Sequence, residues 1–192
     1  MRTDDFVAVD MHVAFPFFNI AVPLRPVVDA SDPMLEAISE FFEPDDDDTP
    51  FLVYSATPMP WIADRGWTLM GHPPFMLRPA DPAEVPTPDG LEIVEVRDAV
   101  ALEQFDATMV EAYPVPELAG RRTFRPGLLD LEGWHMFLGI LDGKPVGTAA
   151  AHVTSTLVDV EWISTHPRAR GKRIGEALTW AATLATPSCP PC

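Results

Sequence analysis

The chain has 192 residues, enough to bury a core in one medium domain or two small ones. Hydrophobic residues make up 47% of it, which excludes a chain disordered throughout. The formal net charge of −16 opposes binding to a nucleic-acid backbone, which it repels at long range.

Asp4, Asp5 and Asp10 precede an apolar stretch, Val13 to Leu24, that Pro16, Asn19 and Pro23 interrupt. A secretory signal wants a basic start and an unbroken apolar centre, so export is not expected. No apolar run reaches the length of a membrane span, and no membrane association is expected. Phe17 to Val22 reads as a short strand. Asp32 suits a helix N-cap with Pro33 at the first helical position, and Leu35, Ile38, Phe41 and Phe42 then follow helical spacing. Asp45 to Asp48 is an acidic run without the alternating ligands and glycine turn of a calcium loop, and reads as a solvated loop. Phe51 to Tyr54 and Trp67 to Met70 are strand-like, and Pro74 to Leu77 continues the apolar character. Pro79, Pro82, Pro86 and Pro88 then cluster with Asp81, Glu84 and Asp89. Residues 80–89 therefore read as a linker between an amino-terminal α/β region, 1–79, and a second region, 90–186, with a tail at 187–192.

Leu91 to Val96 reads as a strand. Asp98 caps a helix whose apolar face is Leu102, Phe105, Met109 and Val110. A charged, proline-rich loop runs from Tyr113 to about Asp130. Trp134 to Leu141 and Val146 to Thr154 are two strands joined at Asp142-Gly143, a pair suited to a turn with two positive φ angles. Val158 to Ser164 is a further strand, and Ile174 to about Ala185 a helix with Ile174, Leu178, Ala181 and Ala185 on one face. The order strand, helix, three strands, helix argues for an α/β or α+β layered fold with a mostly antiparallel mixed sheet flanked by helices. The only cysteines, Cys189 and Cys192, lie in the tail and read as its frayed end. No disulfide framework is present, which fits a reducing cytoplasm.

The segment between the last strand and helix carries the chemistry. Arg168, Arg170, Lys172 and Arg173 gather four of the 13 basic residues in a six-residue run, which points to a small anionic ligand. A helix start beside them offers N–H groups that lack internal partners. Gly171 and Gly175 let the backbone approach an anion closely. The run is not a nucleotide P-loop, because no Ser or Thr follows the lysine to hold magnesium.

Arg170-Gly171-Lys172-Arg173-Ile174-Gly175, directly after a strand and opening a helix, resembles the signature of the GNAT superfamily of N-acetyltransferases. The hairpin from Trp134 to Thr154, with Gly143-Lys144-Pro145-Val146-Gly147, resembles the central hairpin of that family. The likeness spans Leu91 to Ala185, about half the chain. It implies an acyl-CoA N-acyltransferase-like fold and acetyl-CoA as co-substrate. It also implies that backbone groups of Ile163, Ser164 and Thr165 meet the pantetheine arm, and that amides from Arg170, Gly171, Lys172, Arg173, Ile174 and Gly175 hold the diphosphate. Arg173 stands where the family has glycine. The family continues past this helix with another strand, helix and strand, so a carboxyl-terminally truncated member is expected. The amino-terminal region loosely resembles a degenerate acetyltransferase-like half.

Acetyl transfer needs a base for the amine. Asp159 and Glu161 share a face of the last strand, and the family often carries an acid there; Glu161 is preferred because it lies nearer the strand's end. His152 and His166 are further candidate bases. No His or Cys cluster has metal-ligand spacing, and no metal is expected. The expected activity is transfer of acetyl from acetyl-CoA to an amine on a small molecule or protein, in the cytoplasm, with a homodimer as the expected assembly. The alternative is a non-catalytic acyl-CoA-binding or decayed family member.

Overall fold

The computed structural model describes residues 1–42, 49–72, 76–79, 87–113, 118, 120 and 122–185. Asp45 to Asp48, most of the 80–89 segment, Cys189 and Cys192 lie outside the described residues. The chain divides into two compact units, Met1–Arg78 and Pro79–Cys192.

In the first unit, β1 (Phe6–Asp10) pairs antiparallel with β2 (Asn19–Pro23), and β2 pairs parallel with the short β3 (Leu52–Val53). The helix α1 (Pro33–Phe42) buries Met34, Leu35 and Ile38 against Phe6, Ala8, Ala21 and Val27. Its start is fixed as the sequence suggests, with the Met34 N–H donating to the Asp32 carboxylate at 3.0 Å. The Arg25 guanidinium forks onto that carboxylate at 2.7 and 2.8 Å and holds its pKa down to about 2.

Three expectations change in this unit. The segment from Phe17 is not all strand: Pro16–Phe18 forms a 3-10 turn, and pairing begins only at Asn19. The buried Asn19 amide sets that switch, donating to the carbonyls of Val13 and Pro50 at 2.7 and 2.9 Å. Trp67 to Met70 forms no strand. It follows a 3-10 turn, Ile62–Arg65, closed by Gly66 at φ 75°, and Leu69 and Met70 stay exposed while Trp67 meets the Phe51 ring edge-on. The strand β1 escaped the sequence reading, although Phe6 and Ala8 alternate inward against Val7 and Val9.

The second unit is a continuous antiparallel meander, β4 (Leu91–Glu95), β5 (Trp134–Leu141), β6 (Lys144–Val153) and β7 (Val158–Thr165), in spatial order β4-β5-β6-β7. Asp142 and Gly143 turn the hairpin at φ 52° and 71°. The helix α2 (Ala99–Ala112) starts where the Asp98 carboxylate accepts the Ala101 N–H at 2.8 Å. It buries Leu102, Phe105 and Met109, and packs on β5, β6 and β7. The helix α3 (Ile174–Thr183) packs with Val146, Ala149 and Ala151 of β6 and with Val158 and Val160 of β7. Its buried face is Ile174, Ala177, Leu178 and Ala182, one step round from the expected stripe through Ala181 and Ala185.

α3 lies unusually close to β6. A Cβ on Gly147 would sit 2.7 Å from the Ser164 carbonyl oxygen and 2.7 Å from Leu178 Cδ1, so only glycine admits this approach.

Candidate functional site: a bulged strand and an amide cradle

β7 alternates normally through Val158, Asp159, Val160 and Glu161, and then gains one residue. Ala150 pairs with Glu161, whereas Thr148, two positions away, pairs with Ser164, three positions away. The extra residue makes a β-bulge, with Trp162 in the left-handed region at φ 54°. Such a conformation costs a non-glycine residue about 1–2 kcal/mol, so neighbouring contacts must hold it. Thr148, fully buried on β6, supplies one: its Oγ1 donates to the Trp162 carbonyl at 2.9 Å. Its single proton being so used, the Ser164 hydroxyl donates to Thr148 Oγ1 at 2.7 Å. The Trp162 ring meets Phe124 edge-on at 5.5 Å, and Phe124 meets Phe105 of α2 at 5.2 Å. Asp106, buried on α2, accepts the Thr123 N–H at 2.9 Å and so anchors the segment carrying Phe124.

After β7, Pro167–Ala169 forms a 3-10 turn whose start is shaped by His166, with Nδ1 accepting the Arg168 N–H at 3.2 Å. Gly171 then takes φ 80° and Arg173, the N-cap of α3, takes φ 61°. The first helical bond is Ala177 N–H to the Arg173 carbonyl. Among the described residues, the amides from Gly171 through Glu176 reach no protein acceptor. Six successive N–H groups therefore surround the helix start, in a stretch with left-handed residues and the positive end of a helix dipole. This is an anion cradle built from backbone.

The basic side chains are arranged differently from their backbone. Arg168 donates to the Pro145 carbonyl at 2.8 Å. Arg170 donates from Nε to Thr165 and from Nη2 to Ala112, both carbonyls, at 3.2 Å. Its own amide donates to the Pro167 carbonyl at 3.4 Å, so Arg170 stands outside the unengaged run. Arg173 pairs with Glu176 at 2.6 and 2.7 Å, along the first turn of α3. Among the described residues Lys172 alone of the four makes no ion pair or hydrogen bond. The positive φ of Arg173 explains why glycine suits this position. Gly175 serves packing as well as access, since a Cβ there would lie 3.1 Å from Thr165 Oγ1.

Glu161 and Asp159 both face solvent at the bulge. The Glu161 carboxyl pKa is raised, first by partial loss of hydration and then by Asp159. Tyr113, at the end of α2, donates its hydroxyl to the Ile163 carbonyl at 3.0 Å. Its pKa is raised by burial and then by Glu161, so the phenol keeps its proton near neutrality. Sequence reading missed Tyr113, because the bond joins residues far apart in the chain. Of the histidines, His166 Nε2 faces Glu111 at 3.3 Å, and the His152 ring stacks on Trp134 at 5.3 Å. Among the described residues no three His, Cys, Asp or Glu side chains converge as metal ligands, and no helix is long and apolar enough to cross a membrane.

Residues 100–185 match the family model described as Acetyltransferase (GNAT) family. A GCN5-related N-acetyltransferase from Kribbella flavida shares the fold with a TM-score of 0.66 and 22% identity, over 95% of this chain and 72% of that one. A GNAT-family protein from Desulfovibrio desulfuricans gives 0.38 and 19%, over 47% of this chain and 62% of that one. Escherichia coli ElaA gives 0.33 and 12%, over 47% and 66%. No curated protein matches the sequence. The strand bulge, the hairpin and the amide cradle all fall inside residues 100–185, the segment that matches the acetyltransferase (GNAT) family model.

Proposed function

We propose that the second unit binds acetyl-CoA and transfers its acetyl group to an amine. The observation that carries this reading is, among the described residues, the run of unengaged amides from Gly171 through Glu176, directly after a bulged strand at the edge of its sheet. Such a cradle fits a diphosphate: it offers many directional donors at a helix start and needs no metal ligand. Backbone groups of Ile163, Ser164 and Thr165, on the outer strand, suit the amide-bearing pantetheine arm, as added strands pair with open edges. Bound acetyl-CoA supplies an acyl thioester.

The chain's own residues then have separable tasks. An ammonium has no lone pair, so the acceptor must lose a proton, and Glu161 is the base. Partial loss of hydration and the neighbouring Asp159 raise its pKa, which makes it a stronger base than an ordinary carboxylate. Asp159, two residues back, keeps negative charge near the arriving cation and supports ionised amines as acceptors. Trp162 and Phe124 give the site an apolar wall that limits water. Cytoplasmic residence, where acetyl-CoA is made and used, agrees with this reading.

The test is calorimetric titration with acetyl-CoA and CoA, followed by thiol release across small amines and lysine peptides. Micromolar binding with amine-dependent thiol release supports transfer. Binding without release from any amine supports a carrier or sensor, and absence of binding removes the reading.

A further inference from the structure

Glu111 and Ala112, which end α2, and Tyr113, its C-cap, are each held by the end of β7 or the connection from β7 to α3. Glu111 faces His166 Nε2 at 3.3 Å. The Ala112 carbonyl, one of the acceptors a helix end leaves unpaired, receives Arg170 Nη2 at 3.2 Å. The Tyr113 hydroxyl donates to the Ile163 carbonyl at 3.0 Å. His166 is set for its part by its tautomer: Nδ1 accepts the Arg168 N–H, so Nε2 carries the proton towards Glu111. Arg170 is the hub, because its Nε also holds the Thr165 carbonyl, at 3.2 Å, where β7 leaves the sheet. A cation at the carboxyl end of a helix is favoured by the dipole as well as by these bonds.

The arrangement is a three-point clasp, and it places its strongest donor where a phosphate ligand was expected. The guanidinium edge formed by Nε and Nη2 is turned towards protein carbonyls. We propose that Arg170 is a positioning residue which, through the carboxyl end of α2, holds Tyr113 against Ile163 and beside Glu161, so that the amide cradle and the acid–base side of the site keep one register. The proposal rests on the acetyltransferase reading for its kinetic arm but not for its structural arm. Tyr113 is the residue so placed: its hydroxyl is bonded to the Ile163 carbonyl, two residues beyond Glu161 on β7.

The experiment compares Arg170→Met, Arg170→Lys and Tyr113→Phe with the wild type. In the free protein, hydrogen exchange at the Tyr113 amide, which donates to Met109 at 3.0 Å, should accelerate about tenfold or more in Arg170→Met, as expected for loss of charge-assisted bonds. Exchange at Ala177 and Leu178 of α3 should hardly change. The Kd for acetyl-CoA should stay within about twofold and keep its salt dependence, while kcat with an amine falls about tenfold and the acid limb of its pH profile moves. Arg170→Lys should restore part of kcat. The Arg170→Met and Tyr113→Phe effects on kcat should be less than additive, because they break one assembly. A Kd raised tenfold with a shallower salt slope, and unchanged exchange at Tyr113, would make Arg170 a phosphate ligand and overturn the proposal. If the wild type binds no acetyl-CoA, the functional reading fails, while the exchange arm still decides whether the clasp exists.

Discussion

Replacing Thr148 by valine tests whether the bulge is held or merely tolerated. Valine keeps the shape of threonine but has no hydroxyl. Thr148 is fully buried, and its Oγ1 serves both the Trp162 carbonyl at 2.9 Å and the Ser164 hydroxyl at 2.7 Å. The substitution takes a hydrogen-bond partner from both, and a buried polar group left unsatisfied costs about 1–3 kcal/mol. Trp162 at φ 54° also loses a tether while keeping its conformational cost. Part of the damage is recoverable, because the bulge can relax towards regular pairing and release about 1–2 kcal/mol of backbone strain. A net loss of about 2 kcal/mol follows. Relaxation would slip Ile163, Ser164 and Thr165 relative to the cradle, so acetyl-CoA affinity should fall roughly tenfold in parallel. Native-state hydrogen exchange on β6 amides reads the first quantity and calorimetry the second. Thr148→Ser keeps the hydroxyl and should preserve affinity despite a small packing loss. If Thr148→Val changes local stability by less than about 0.5 kcal/mol and leaves affinity intact, the bulge does not depend on this hydroxyl and the reasoning is refuted.

Gly147→Ala should destabilise the second unit by about 1–3 kcal/mol, because the new methyl meets the Ser164 carbonyl as well as Leu178; urea unfolding measures it, and an unchanged midpoint would show that α3 can shift freely. Lys172→Ala should weaken acetyl-CoA binding several-fold, whereas Arg173→Ala, which removes a side chain already paired with Glu176, should change it little; the reverse order in paired titrations would contradict the assignment. Glu161→Gln should abolish the acid limb of the kcat profile. Because the folded pKa of Glu161 is raised, the native state binds more protons than the unfolded state as pH passes between the two values, and stability declines with pH there. The glutamine variant should therefore melt slightly higher than wild type at neutral pH and equally near pH 3; a lower melting temperature at neutral pH would show that ionised Glu161 is stabilising.

The meander of the second unit was legible because each of its signals is local. Asp98 caps α2, Asp142 and Gly143 accept positive φ, and the flanking strands are continuous apolar runs. The cradle was legible as a place, since Gly171 and the following helix start mark it. Its working parts were not. The basic run suggested side-chain charge, but three of the four cations are committed to carbonyls or to Glu176, and those commitments depend on folding. The bulge was hidden because nothing in Val158 to Thr165 announces an extra residue; the left-handed position is held by tryptophan rather than glycine, through a hydroxyl on β6. The clasp was hidden for a similar reason, as its bonds join Tyr113 to Ile163 and Ala112 to Arg170. In the first unit, short apolar runs misled in both directions: β1 passed unnoticed beside its acidic neighbours, and Trp67 to Met70 carried strand-like residues that no partner pairs.

The same distribution of charge makes a prediction about salt. A protein of net charge −16 repels a polyanion such as CoA at distances up to about a Debye length, roughly 10 Å at 0.1 M salt. Most anion sites offset such repulsion with free lysines and arginines, and their affinity falls as salt screens the attraction. Here Arg168, Arg170 and Arg173 are engaged within the protein, which leaves Lys172 and the amides of Gly171 through Glu176. The amides act by short directional bonds that dissolved ions screen weakly. Raising salt therefore removes more repulsion than attraction. Acetyl-CoA affinity should stay flat or improve modestly between 0.05 and about 0.3 M sodium chloride, and the association rate should rise. Lys172→Ala should make that rise steeper, since it deletes the one attractive component that salt weakens. Stopped-flow association and calorimetry at matched salt concentrations measure both. An affinity that drops tenfold across this range would mean that the arginines leave their carbonyl partners to meet the ligand, and that the cradle works by side-chain charge.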